Sequence, residues 1–193
     1  MKLNIKETVS FLRGLLWASC IIVGTLMLFR LLFVFLYVPG NILTAQSSDL
    51  YKVLYNALRF DFQIAAYAAL LPTVIMLMQL FVSTPMYPKW CRNFCSWYYT
   101  LVATLLALLS AIDLGYFANF NSHISFTFFD FFDEEPLSLI QTIWDDYPVI
   151  WILIGLCFWG TVTKIASKWA FLRPSQTKSC STKKTTIAIM LYI

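Results

Sequence analysis

Four long apolar runs organise the chain. They are Leu15 to Val38, interrupted by Arg30; Phe62 to Val82; Trp97 to Phe117, with Asp113 inside; and Tyr147 to Thr163. A bilayer core about 30 Å thick needs roughly 20 apolar residues to be crossed by a helix. Each run approaches that length, and the fourth is the shortest. Strands of a membrane barrel would span about ten residues and alternate apolar with polar. These runs are longer and apolar all round, so the pattern predicts an all-α polytopic membrane protein with four transmembrane helices. After Lys183 and Lys184, the residues Thr185 to Ile193 read as the start of a fifth helix, less than half the length of a span. The expected organisation is a four-helix membrane domain over 1–163, a basic cytoplasmic connector over 164–184, and the start of a truncated fifth transmembrane helix over 185–193.

Shorter patterns fill the connections. Pro39-Gly40-Asn41 is a turn signal. Leu50, Val53, Leu54, Ala57 and Leu58 then recur at helical spacing between Asp49 and Asp61, which predicts a short amphipathic helix at the membrane face leading into the second span. Pro72 lies inside that span and predicts a kink over 68–71. The segment Phe126 to Glu135 packs five phenylalanines (Phe126, Phe128, Phe129, Phe131, Phe132) against acids, and Pro136 ends it. A second short helix is expected over Leu137–Trp144. Both external-loop helices are too short and too charged to span, so they belong in the interface. The first run is too long for a secretory h-region and lacks a small-x-small cleavage site directly after it, so it reads as a retained helix.

Charge sets the direction of the spans. Cytoplasmic loops hold the excess of Lys and Arg. Lys2, Lys6 and Arg13 precede or open the first run, and Lys89 and Arg92 come after the second. Lys164, Lys168, Arg173, Lys178, Lys183 and Lys184 come after the fourth, with no acid among them. The loop over 39–61 is balanced. The loop over 118–146 carries Asp130, Asp133, Glu134, Glu135, Asp145 and Asp146 and no Lys or Arg. This alternation predicts a cytoplasmic N-terminus in a bacterial inner membrane, with a cytoplasmic segment after the fourth span. With 60% hydrophobic and 12% charged residues, the net charge of +4 is topogenic. It argues for membrane lipids as partners and against nucleic acid.

Candidate chemistry is sparse. Cys20 and Cys157 fall in spans, Cys91 and Cys95 in the expected cytoplasmic loop, and Cys180 in the tail. Reduced surroundings and the Cys-x3-Cys spacing without further ligands argue against disulfides and against zinc. No nucleophile triad, phosphate loop or metal cluster is present. Hence no catalytic residue, metal ligand or cofactor is assigned to these residues. The single histidine, His123, reads as a loop residue. The conspicuous feature is a buried-charge problem. Arg30 lies inside a span, where an uncompensated charge costs about 2.5–3.5 kcal/mol on the insertion scale. Asp113, Asp61 and Arg59 lie at the same expected face. Arg30 paired with Asp61 or with Asp113 would give either a structural salt bridge or a polar site for a lipid headgroup.

Several of these features occur in an order that resembles one family. Arg30 stands late in the first span, Leu58-Arg59-Phe60-Asp61 opens the second with Pro72 inside it, and Asp113-Leu114-Gly115-Tyr116-Phe117 ends the third. The aromatic, acidic segment Phe126 to Glu135 comes next. This resembles the N-terminal membrane domain of the lipoteichoic acid synthase and phosphoglycerol transferase group, within the alkaline phosphatase/sulfatase superfamily. The resemblance implies five membrane helices followed by a large extracytoplasmic domain, with a catalytic threonine and a divalent metal such as Mn²⁺. None of those catalytic or metal positions maps onto residues 1–193. The resemblance therefore implies a membrane anchor of a cell-envelope transferase, inactive alone and partnered by its own missing catalytic domain. The alternative expectation is a complete small membrane protein, an accessory subunit or a transporter-like chain.

Overall fold

A computed structural model describes residues 5–40, 47–81, 89–124, 144 and 149–172. Four helices carry the fold: α1 (Ile5–Tyr37), α2 (Ser47–Phe81), α3 (Lys89–Phe120) and α4 (Val149–Leu172). All four are long and apolar enough to cross a membrane. The chain is a polytopic all-α membrane protein, and no strand occurs among the described residues.

All four helices extend past the apolar runs, for the same reason each time. In a bilayer a helix satisfies its own backbone polar groups, so it continues into flanking polar residues rather than unwinding at the hydrophobic boundary. Thus the amphipathic stretch Asp49–Asp61 is not a separate interfacial helix but the opening turns of the 35-residue α2. Asp49 sits in its first turn, where a negative charge opposes the positive helix end. Similarly, α3 begins at Lys89, which places Cys91 and Cys95 inside a helix and buried, not in a loop. At the other end of the chain, α4 runs to Leu172, so Lys164 and Lys168 belong to the helix and not to a connector. Helix α2 passes through Pro72 without ending. Thr73 Oγ1 donates to the Ala69 carbonyl at 2.7 Å, adding a donor on the turn where the proline removes one. The expected segment Phe126–Glu135, the connector beyond Leu172 and the fifth-helix start at 185–193 lie outside the described residues. Of the expected helix Leu137–Trp144, only Trp144 is described; it is helical and exposed.

Helix α1 is the centre of the bundle and packs against all three others, while α3 and α4 pack most extensively on each other. α2 leans almost wholly on α1. Small residues make these approaches possible, as they do where lipid supplies no hydrophobic drive between helices. Ala57, Ala65, Ala68 and Ala69 form the buried face of α2. Gly14 of α1 lies so close to α4 that a Cβ there would meet the Ala170 carbonyl oxygen and Phe171 at 2.9 Å. Between α3 and α4 runs a seam of hydroxyls. Ser167 Oγ lies 2.9 Å from Thr100 Oγ1 and 3.3 Å from Ser96 Oγ. It also lies 2.7 Å from the Thr163 carbonyl of its own helix. All four side chains are buried.

The packing is uneven along the bundle axis. The buried residues of α1 run from Phe11 to Leu26, those of α3 from Cys91 to Ala107, and those of α4 from Thr163 to Phe171. This closed end is sealed by Phe171, whose ring lies 5.6 Å from Phe11 and 5.9 Å from Tyr99. Arg92 adds a hydrogen bond from its guanidinium to the Phe171 carbonyl at 3.2 Å, capping the last turn of α4. Nearby, the Lys164 ammonium lies 3.5 Å from the centre of the Trp97 ring. Beyond Leu26 and Ala107, towards the other end, no side chain of α1 or α3 is fully buried, and α2 makes little contact with α3 anywhere along the bundle.

Candidate functional site

At this open end, α1, α2 and α3 enclose a cavity of about 680 Å³. Its walls are mostly apolar, including Leu26, Phe29 and Phe33 of α1, Val53 and Leu54 of α2, and Leu106 and Leu109 of α3. Arg30, Asp113, His123, Asp49 and Ser110 supply the polar groups. Residues of α1, α2 and α3 all line it, and α2 and α3 make little contact with each other.

Arg30 is held by Asp61, across the α1–α2 contact. Its Nη2 donates to Asp61 Oδ1 at 2.9 Å, and its Nε lies 3.2 Å from both carboxylate oxygens. The Asp61 side chain has no solvent exposure, whereas that of Arg30 is 41% exposed. The geometry has its origin in the sequence. Asp61 sits on the alanine face of α2, in register with Ala57 and Ala65, so it points at α1. The planar fork of arginine suits a carboxylate approached from one side. That contact occupies Nε and Nη2. Nη1 makes no hydrogen bond among the described residues, and Arg30 lines the cavity.

Asp113 does not take part. Its Oδ1 accepts the Ile124 backbone N–H at 2.9 Å, and its Oδ2 lies 2.8 Å from His123 Nδ1. A carboxylate only accepts, so Nδ1 carries the proton in this contact. The turn that permits it is set by Asn121, which has a φ of 51°, the left-handed conformation that ends helices and that Asn tolerates. Its N–H bonds the Phe117 carbonyl at 2.9 Å. The chain then folds back, and His123 comes to rest against Phe33 and Phe117, with ring centres 5.0 and 5.2 Å away. Tyr37 ties the ends of α1 and α3 together through a hydrogen bond to the Leu114 carbonyl at 3.0 Å. Asp49 is engaged by Lys52 at 3.0 Å.

Of the four residues singled out in the sequence, Arg30 and Asp61 form the pair and Asp113 joins the same cavity through a different partner. Arg59 is exposed, does not line the cavity, and makes no hydrogen bond or ion pair among the described residues. His123, which reads in the sequence as an ordinary loop residue, lines the cavity as well. The signal for it is Asn121-Ser122 directly after an apolar helix, a chain-reversal pattern that returns the next residues onto the last turns. Among the described residues no group of His, Cys, Asp and Glu could hold a metal ion. No protein-family model, curated protein or solved structure matches this chain.

Proposed function

We propose that these residues form the membrane domain of a cell-envelope transferase of the phosphoglycerol transferase type, seated in the bacterial inner membrane with the N-terminus of α1 in the cytoplasm. The carrying observation is Arg30, clamped by the buried carboxylate of Asp61 yet facing a cavity at the open end of the bundle. A cation kept within a span is by default a candidate for function once its partner is named, here Asp61. The charge pattern supports the orientation. Arg13, Arg92, Lys164 and Lys168 all belong to the closed-end halves of their helices, and the acid-rich loop over 118–146 leaves the open end of α3. On that orientation the cavity opens to the extracytoplasmic leaflet, where a transferase of this type meets its lipid donor. The order of Arg30, Leu58-Arg59-Phe60-Asp61 with Pro72, and Asp113-Leu114-Gly115-Tyr116-Phe117 supports the family assignment.

In this reading the chain's own residues supply binding and orientation, not bond-breaking. A threonine nucleophile and its divalent metal would belong to an extracytoplasmic domain. The genomic DNA downstream of the Ile193 codon tests the proposal. The expected sequence encodes, in some frame, a soluble domain with those groups. A stop followed by no such segment overturns it and leaves a small accessory membrane protein.

A further inference from the structure

We propose that the open-end cavity is a binding site for one phospholipid, with the lipid phosphate on Arg30 Nη1 and an acyl chain along the groove between α2 and α3. This deepens the membrane-domain reading and rests on it for the side of the bilayer. Three features of the cavity carry it.

The first is the state of the polar groups in the wall. Both oxygens of Asp113 are occupied, by Ile124 N–H and His123, and Asp49 is paired with Lys52. The acids are therefore already matched, and the donors left over among the described wall residues include Arg30 Nη1 and the Ser110 hydroxyl. A guanidinium N–H edge facing an apolar chamber is complementary to a phosphate, which takes charge-assisted hydrogen bonds from arginine. The second is the chemistry of the remaining wall. Leucine, valine and phenylalanine from three helices give an acyl chain contacts that a free inorganic anion could not use. A volume of about 680 Å³ holds a headgroup with part of one chain, but not a whole two-chain lipid. The rest of the lipid must leave sideways, and the sparse contact between α2 and α3 marks the side it would use.

The third is depth. Arg30 lies seven residues before Tyr37, the end of α1, which is roughly 10 Å along a helix rising about 1.5 Å per residue. The apolar stretch Val9–Tyr37 is 29 residues, about 43 Å, and outreaches a hydrocarbon core of about 30 Å by some 6 Å at each end if centred. Arg30 thus falls just inside the hydrocarbon boundary, within reach of a lipid phosphate drawn slightly inward. His123 stands at the cavity wall beside it; with Nδ1 donating to Asp113, the Nε2 of a neutral imidazole is an acceptor for a headgroup hydroxyl.

The test is native mass spectrometry and microscale titration of the detergent-purified chain. It compares dioleoylphosphatidylglycerol, dioleoylglycerol with the same chains and no phosphate, and glycerol phosphate with no chains. The expected result is one bound phosphatidylglycerol, with each of the other two ligands weaker by about tenfold or more. The double variant Arg30→Leu/Asp61→Leu removes the guanidinium without orphaning the carboxylate, and should lower phosphatidylglycerol affinity by a similar factor. Ser110→Phe places bulk in the cavity, leaves the ion pair alone, and should also reduce lipid occupancy; it serves if the double variant fails to fold. Equal affinity for dioleoylglycerol, equal affinity for glycerol phosphate, or unchanged binding in whichever variant folds overturns the site. None of these results depends on what the downstream DNA encodes, so the lipid site and the family assignment fail separately.

Discussion

A carboxylate with no exposure, such as that of Asp61, is stable in a bundle only while a cation answers it. Asp61→Leu strands Arg30, and Arg30→Leu strands Asp61. Breaking a buried pair from one side typically costs about 3–5 kcal/mol, and the part-exposed arginine brings the expectation here to about 2–3 kcal/mol. The Arg30→Leu/Asp61→Leu double variant should regain most of that loss, and melting temperatures of the three proteins in one detergent check it. A double variant no more stable than the worse single variant would show that the residues act independently. At Gly14 the limit is space. Gly14→Ala should cost about 1–3 kcal/mol, because its methyl would press on the Ala170 carbonyl and Phe171; the same melting assay reads it. Arg30 and Asp61 are legible in the sequence because a charge within an apolar run demands a partner. The choice between Asp61 and Asp113 is not legible there. It depends on which acid shares a face with Ala57 and Ala65, and on the turn at Asn121 that gives Asp113 other partners.

The α3–α4 contact carries a seam of hydroxyls beside the Tyr99–Phe171 ring contact. Ser167 bridges to Ser96 and Thr100. Such interhelical hydrogen bonds average about 0.6 kcal/mol in membranes, so Ser167→Ala should lower stability by about 1 kcal/mol, read as a small fall in melting temperature. The end of α3 is more sensitive to backbone than to chemistry. Asn121→Gly should be neutral, whereas Asn121→Val should cost about 1–2 kcal/mol, because a β-branched residue resists the left-handed conformation. The valine variant should also detach His123 from Asp113, visible as a change in the imidazole NMR signals. The existence and number of spans are legible from apolar runs alone. Their ends are not. Hydropathy marks where a helix leaves lipid, while the hydrogen-bond ladder carries α2 outward to Ser47 and α3 back to Lys89. For that reason the cysteines expected in a loop lie buried at the closed end.

As a whole, the molecule is a bundle packed at one end and open at the other. The proposed orientation makes a direct prediction: a periplasmic-type reporter fused after Arg173 should be inactive and a cytoplasmic one active. The opposite pattern would turn the bundle over and put the cavity in the cytoplasmic leaflet. The cavity cannot be read from the sequence, because enclosing it takes three helices at once. Each of them separately presents ordinary leucine and phenylalanine there, which lipid would cover equally well.

The attachment of α2 to a single neighbour has a further mechanical meaning. A helix seated mainly on one partner, through an alanine face and one ion pair, is the least constrained of the four. On the lipid-site proposal, the side of α2 turned towards α3 is the dimension that would adjust to headgroups of different girth, leaving the hydroxyl-laced half of the bundle undisturbed.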